Sequence, residues 1–445
     1  MKQKNYTSFD SFFQDLGVEI TNISHERINN IKTIVFNVKS LSSNITHCPF
    51  CGSVSYIRHG YTERKLKHVK VFGYHSIILY KQCRFLCKDC MKSFNEECKI
   101  ARKSSRLTTQ LRSDILFECK EKQSFLSTSK RLNISITSVL NEFKNNTAIP
   151  RKKLSRIICI DEFKANTEYG KFAFIIGDPV SGEILDILAY RTQEQIYYYF
   201  QELSITERKI AEIIVSDLSN TYRYVIRNLF PNAIHIVDRF HWIKLSTSAF
   251  NNLRIKTMNN YLFEAEHTLD QEKKIELRRY ATLMKNYYKL FLINKYKKGD
   301  AYFEEVTKAK VNGSLLTRQE LIEYIINSNK DLENGYHLLQ DLYKISMFSS
   351  LDTFDKDLDE WFKDVEKAEI KLFEKVKNTY KSWKKEIKNS FIIDKKTNIR
   401  FTNGFIEGKN NLCKVIKRIS FGYKKFRNLR SKILYIDNEL LKIKN

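Results

Sequence analysis

Apolar positions change their spacing several times along this chain, and each change predicts a different kind of structure. Ile31 to Val38 and His75 to Tyr80 read as strands. Residues 101–150 switch to helical spacing. Helices are predicted over Leu107–Cys119, Ser124–Arg131 and Ile136–Phe143, with Leu132-Asn133-Ile134-Ser135 as the turn between the last two and Ser135 as an N-cap. Leu126, Leu132, Ile134, Val139 and Leu140 supply a small core for such a trihelical unit. From Ile157 the apolar runs shorten and crowd: Ile157–Ile160, Lys171–Asp178 and Gly182–Arg191, the last two joined by the turn Asp178-Pro179-Val180-Ser181-Gly182. A helix from Gln193 to Leu203, a strand from Ala211 to Ser216, a helix around Tyr222 to Leu229 and a strand ending at Val237 follow. Three strands and then alternating helix and strand predict a mixed α/β sheet. Residues 243–395 return to a 3.6-residue period, with Leu351, Phe354, Leu358, Trp361, Val365, Ala368 and Leu372 as one stripe, and read as all-helical.

Composition narrows the class. A chain of 445 residues with 42% hydrophobic residues makes several domains with real cores, which excludes overall disorder. Its net charge of +26 calls for a polyanionic partner, most simply nucleic acid. A lipid-surface role lacks any long apolar span, and the early lysines are not followed by the apolar run of a signal peptide. The expected location is the cytoplasm, at the nucleoid. In that reducing compartment nine cysteines are thiols or metal ligands.

Six of them fall in residues 47–100. Cys48-Pro-Phe-Cys51 and Cys87-Lys-Asp-Cys90 are two Cys-x-x-Cys knuckles separated by a β-like linker, the layout of a zinc ribbon. Four thiolates leave no open position, so the Zn²⁺ would be structural. Cys83 and Cys98 lie close enough in sequence to replace a ligand. The linker is basic (Arg58, Arg64, Lys65, Lys67, Lys70, Lys81, Arg84, Lys88), and a DNA-contacting face is the reading that fits the charge. A helical hairpin alone would not identify a DNA reader; one following a zinc module in a basic chain does so better.

The remaining chemistry is acidic. Asp161 is placed at the end of the first strand of the mixed sheet and Asp217 at the end of Ala211–Ser216, while Glu407 lies near the start of a helix expected from Gly404. Carboxylates on neighbouring strand ends, joined by a third, suit two hard divalent cations. Spacing alone does not single out these three among 51 acidic residues.

The order of landmarks resembles the ISL3 family of insertion-sequence transposases. They are the two knuckles, Asp161-Glu162-Phe163, Ser216-Asp217, Val237-Asp238-Arg239-Phe240-His241, and Asn403-Gly404-Phe405-Ile406-Glu407-Gly408-Lys409-Asn410-Asn411 with Lys417-Arg418 and Phe421-Gly422-Tyr423 behind it. The resemblance implies a ribonuclease-H-like mixed-sheet core split by the helical insertion, and a catalytic, metal-binding triad of Asp161, Asp217 and Glu407. It implies two Mg²⁺ or Mn²⁺ ions there. Asp238 and His241 fit an Asp-x-x-His element that lines such sites, although His241 reads equally as a hydrogen-bonded structural histidine. A basic segment without acids, including Lys414, Lys417, Arg418, Lys424, Lys425, Arg427, Arg430 and Lys432 with Tyr423 and Phe426 among them, would hold phosphates. The expected domains are 1–46, a β-rich polar start; 47–100, the zinc module; 101–150, the helix-turn-helix; 151–242 and 396–445, two parts of the catalytic core; and 243–395, the insertion. Expected partners are double-stranded DNA, as element ends and as target, and further copies of the chain, at least a dimer. A non-enzymatic regulator is the rival, since zinc module and helix-turn-helix would suffice for it. An RNA-guided nuclease would carry its knuckles late in the chain.

Overall fold

The computed structural model describes residues 13–41, 45–147, 149–394, 400–420 and 422–442. Residues 1–12 and 42–44 of the polar start and Phe421 of the family-like motif lie outside them. The chain divides into two compact units: Met1–Pro150 with Ala165–Tyr169 and Leu412–Asn445, and Arg151–Lys164 with Gly170–Asn411. Among the described residues no helix is long and apolar enough to cross a membrane.

The first unit is built on a sheet of β1 (Val18–Ile28), β2 (Ile31–Ser40), β3 (Tyr56–Val71), β4 (Tyr74–Cys87) and β5 (Ser93–Asn95), in the order β1-β2-β4-β3 with β5 beside β4. Because β2 pairs in parallel with β4, the first strands and the cysteine module share one sheet and are not separate segments. Alternation along β2 and β4 sends Ile34, Phe36, Val38, Ile78 and Tyr80 to one core. Three helices follow: α1 (Thr109–Glu118), α2 (Phe125–Leu132) and α3 (Ile136–Asn146). Each starts at a hydroxyl cap, Thr108, Ser124 or Ser135, that accepts a backbone N–H of its own first turn. Asn133, in the left-handed region at φ 52°, ends α2 and turns the chain into α3. The C-terminal helix Phe426–Lys442 also belongs here. Tyr435 packs edge-on against Phe143, and Tyr423 against Phe125.

The second unit has a five-stranded sheet of β6 (Ile157–Thr167), β7 (Gly170–Asp178), β8 (Glu183–Leu188), β9 (Ile213–Ser216) and β10 (Ile234–Val237), ordered β10-β9-β6-β7-β8. β9 runs parallel to both β6 and β10, and β7 antiparallel to β8. Helices α4 (Gln193–Gln201) and α5 (Asn220–Leu229) cover one face through Ile196, Phe200, Tyr222 and Val225. The helical block starts with α6 (Arg239–His267) and continues through α7 (Gln271–Asn286), α8 (Arg318–Ile326), α9 (Lys330–Phe348), α10 (Phe354–Ala368) and α11 (Lys371–Lys388). The block is not wholly helical. Strands β11 (Val306–Val311) and β12 (Ser314–Thr317) form a hairpin within it, because Asn312-Gly313 takes the positive φ pair (50° and 88°) of a tight turn. The stripe on α10 is buried at Phe354, Leu358, Trp361 and Val365, but Glu369 in the left-handed region ends that helix before Leu372. Buried Glu386 on α11 receives Arg223 at 2.9 Å and Arg227 at 2.7 Å from α5, which fixes the block to the sheet. Helix α12 (Gly404–Ile419) returns the chain to the sheet.

Candidate active site

Strand register assembles the acidic cluster. β6 and β9 are paired from Ile157↔Ile213 to Cys159↔Val215, and β10 and β9 through Val237↔Ser216. Two further steps bring Asp161 level with Asp217, and one step past Val237 brings Asp238 to the same edge. Asp161 does not end its strand, as the sequence suggested. β6 runs on to Thr167 beyond the end of its short partner β9.

The three aspartates do different work. Burial, then the neighbouring Asp217 carboxylate, push Asp161 up to about 7, although the Glu162 N–H donated to it at 2.7 Å acts the other way. Asp217 accepts from His241 Nε2 at 3.0 Å. Burial alone would lower His241, but the hydrogen bond and charge of Asp217 outweigh it and hold the imidazole above its ordinary value. Both oxygens of Asp238 are committed. One caps α6 through Phe240 N at 3.1 Å, and the other accepts Asn403 N at 2.9 Å. Asp238 therefore locks the chain entering α12 against the sheet.

Glu407 is exposed on α12, with its N–H on the Asn403 carbonyl at 3.1 Å. Among the described residues, the four knuckle cysteines are the one group of three or more acidic, histidine or cysteine side chains whose ligand atoms all lie within 4.8 Å of each other. Asp161, Asp217 and Glu407 do not form a second such group. What meets the aspartates is the pair of asparagines flanking Glu407. Asn410 Nδ2 donates to Asp161 Oδ2 at 2.7 Å, and Asn403 Nδ2 lies 3.5 Å from Asp217 Oδ1. Asn403 stands four residues before Glu407 and Asn410 three after it; both asparagines are buried, whereas the Glu407 side chain is exposed. The asparagines were not singled out from the sequence, although their spacing about Glu407 was a usable signal. Nor were Glu162, paired with Arg191 at 2.6 Å, or the buried Tyr222, whose proton is held by burial and then by the charges of Glu162, Asp161 and Asp217. Carboxylates with side-chain amides are a hard oxygen set, suited to Mg²⁺ or Mn²⁺ and unsuited to soft metals.

The soft site lies in the other unit. Cys48 and Cys90 Sγ are 3.7 Å apart, and Cys51 and Cys87 Sγ 3.6 Å. Zinc–sulfur bonds in a tetrahedron give an edge of about 3.8 Å. Gly52, at φ +76°, closes the first knuckle with its N–H on the Cys48 carbonyl. Backbone N–H groups at Cys90 and Asp89 hold the Cys87 thiol below its usual range, while at Cys51 a Ser53 N–H pulls the same way but desolvation and the neighbouring Cys90, Cys87 and Cys48 sulfurs together hold the thiol above it. Four crowded thiols ionise together only around a cation, so the cluster fits a structural zinc. Cys83 is excluded, because its sulfur takes Arg58 Nε at 2.9 Å; Cys98 packs in the separate sheet core.

The basic residues divide into surface and interior. Lys65 and Lys67 alternate with buried Leu66 and His68 on β3, and with Arg64, Arg106, Ser135 and Ser138 they line a cleft of about 680 Å³. Lys67 Nζ reaches the Asn133 carbonyl at 2.7 Å, and Arg64 the Ser105 carbonyl at 2.8 Å. Arg58, Lys414, Arg418, Lys424, Lys425 and Arg427 are exposed, and Lys417 is half-buried. Lys432 is not a surface cation. It is fully buried and donates to the Cys119 and Glu121 carbonyls at the end of α1. Arg430 donates to the Ile149 carbonyl at 2.9 Å. Tyr423 and Phe426 are buried as well, which removes them as base-stacking rings.

Comparison with known proteins reaches the same region. Residues 158–433 match the model of a transposase family of the ISL3 type. Residues 46–90 match a zinc-finger model of the transposases of IS204, IS1001, IS1096 and IS1165. The transposase for insertion sequence element IS1001 of Bordetella parapertussis is 20% identical over 390 residues, covering 86% of each chain.

Proposed function

Since the chain belongs to the ISL3 family of transposases, a DNA-rearranging enzyme with a DNA partner, we propose that it binds the terminal inverted repeats of its element, cleaves phosphodiesters there and joins the freed 3′ ends to target DNA. The observation that carries this reading is the edge where Asp161 and Asp217 lie level on adjacent strands, with Glu407 on α12 between the two asparagines that touch them. The sheet order, with β9 and β10 parallel to β6 and the β7–β8 pair antiparallel, supports a ribonuclease-H-like core.

Asp161, Asp217 and Glu407 would hold two divalent cations, Mg²⁺ or Mn²⁺. Such ions lower the pKa of water and offset charge on the attacking and leaving oxygens of an in-line displacement. His241 orients Asp217 by donating to one of its oxygens, and Asp238 holds the start of α12. In cleavage the water oxygen forms a bond to phosphorus as the bond to the 3′ oxygen breaks, leaving a 3′-OH and a 5′-phosphate. In joining, that 3′ oxygen attacks a target phosphorus and displaces another 3′ oxygen. Both steps are the same displacement, so one acidic site serves both. The zinc-bearing sheet and α1–α3, read as a helix-turn-helix unit with α3 entering the major groove, supply end recognition. Arg58, Arg64, Lys65, Lys67, Lys414, Lys417, Arg418, Lys424, Lys425 and Arg427 would contact phosphates, and at least a dimer would hold two ends together.

The test incubates purified protein with the element's own ends and Mg²⁺. D161N, D217N and E407Q should each lower cleavage by several orders of magnitude and leave end binding intact. Full cleavage by E407Q would remove Glu407 from the site, and no cleavage by the parent protein on any end would favour a non-enzymatic regulator.

A further inference from the structure

Asn403 and Asn410 do more than fill space. Asn403 is fully buried and Asn410 is 6% exposed, so neither amide has water to satisfy it. Each directs its NH₂ group to an aspartate side chain and a strand carbonyl. Asn410 Nδ2 gives its short bond to Asp161 and lies 3.5 Å from the Glu162 carbonyl, while Asn403 Nδ2 faces Asp217 Oδ1 and the Ile160 carbonyl at 3.4 Å. In both, the side-chain carbonyl Oδ1 is buried with no donor. A buried amide left half-satisfied is costly at a position that serves packing alone, where an apolar side chain of that size would do better. The neighbours explain the orientation. Ionised carboxylates and carbonyls only accept, so the NH₂ end must face them.

We propose that Asn410 and Asn403 are positioning residues for the acidic site. Each fixes one aspartate by a side-chain N–H, setting the plane of that carboxylate so that its remaining lone pairs face a shared divalent cation; on Asp161 the Glu162 N–H holds the second oxygen as well. The inference rests on the reading of Asp161 and Asp217 as cation ligands, and neither asparagine is itself required to touch the ion. It also gives the half-satisfied amides a function. Hydrogen bonds that orient metal-ligating carboxylates are worth about ten- to a hundredfold in metal affinity.

The experiment is a Mn²⁺ titration of the full-length, zinc-loaded protein, followed by electron paramagnetic resonance, with zinc content and melting temperature measured on the same samples. Asn410→Leu keeps the volume and removes the donor. It should weaken Mn²⁺ binding ten- to a hundredfold while zinc content and melting temperature hold or rise. Asn410→Ser, smaller and still a donor, should fall between the two and serves if the leucine variant does not fold. Asn403→Leu should act in the same direction through Asp217. Asp161→Asn separates the layers: if it binds Mn²⁺ normally, the ligand reading itself fails. If it loses Mn²⁺ while a folded Asn410 variant binds with parent affinity, the positioning role alone is overturned. A variant that loses melting temperature yet keeps Mn²⁺ affinity would likewise make the asparagine structural.

Discussion

His241 Nε2 lies 3.0 Å from Asp217 Oδ1, one turn into the helix that begins at the third aspartate of the same sheet edge. Asp238, as N-cap, sets where α6 starts, and three residues later the helix returns His241 toward the strand ends. One carboxylate thereby aims the imidazole that aims another. Replacing His241 by Leu should weaken divalent-cation affinity and DNA cleavage about tenfold or more, because Asp217 loses its imidazole donor. End binding measured by mobility shift should not change. Parent-level affinity in H241L would make the histidine a structural neighbour only.

The zinc cluster predicts a split among cysteines. Metal analysis should find one Zn²⁺ per chain for the parent, C83S and C98S, and loss of zinc in C51S and C87S, since only the latter pair belong to the four-sulfur group. The zinc-free variants should bind DNA ends weakly and still melt their other unit near the parent temperature. Zinc retained in C87S with loss in C83S would reassign the ligand set.

Two buried histidines fix an acid limit. Burial pushes His68 and His235 down to about 4; His68 has the Thr108 hydroxyl at 3.0 Å, His235 the Ser216 hydroxyl at 2.8 Å. An unfolded histidine takes its proton near 6.5. Between about 6.5 and 4 the unfolded chain therefore binds protons that the folded chain refuses. Stability is complete above this window and falls as pH drops through it, by roughly 3 kcal/mol per histidine at most. Melting temperatures measured from pH 7.5 to 4.5 should fall, and H68N and H235N should each flatten the fall. Identical pH slopes in parent and variants would contradict the assignment.

How much could be read beforehand depends on what each feature needs. The strands of the mixed sheet, the three capped helices and the knuckles were legible because each is set by local pattern: alternation, a hydroxyl before an apolar period, paired cysteines. Asp217 was legible as the residue following a strand, but Asp161 sits inside a longer strand than the pattern suggested, and their common level comes from pairing register, which no single strand contains. Lys432 shows how charge misleads. It reads as one more cation of a basic run, yet Leu429, Ile433 and Ile436 are buried around it on the same helix face. Asn312-Gly313 is a strong hairpin dipeptide that a helical period on both sides overrode. Asn403 and Asn410 carry no charge, and their meaning lies in which carboxylates the tertiary fold brings to them.

Gly177 tests whether α12 must sit where it does. A Cβ added at this position of β7 would stand 2.6 Å from Phe405 Cε1 and 2.8 Å from Ile406 Cδ1, closer than real contacts allow. Ile406 is fully buried beside Glu407, so it cannot swing into solvent. The missing side chain thus lets the first turn of the helix press against the sheet and brings Asn403 and Asn410 within reach of the aspartates. Gly177→Ala should cost about 1–3 kcal/mol by overpacking. It should also lower Mn²⁺ affinity more than an equally destabilising core change far from the site, because the helix start must move. Ile406→Val removes the Cδ1 methyl that clashes, so the double variant should regain part of both losses, a non-additivity expected only of residues in contact. If G177A loses stability but binds Mn²⁺ as the parent does, close seating of α12 is not what assembles the acidic site.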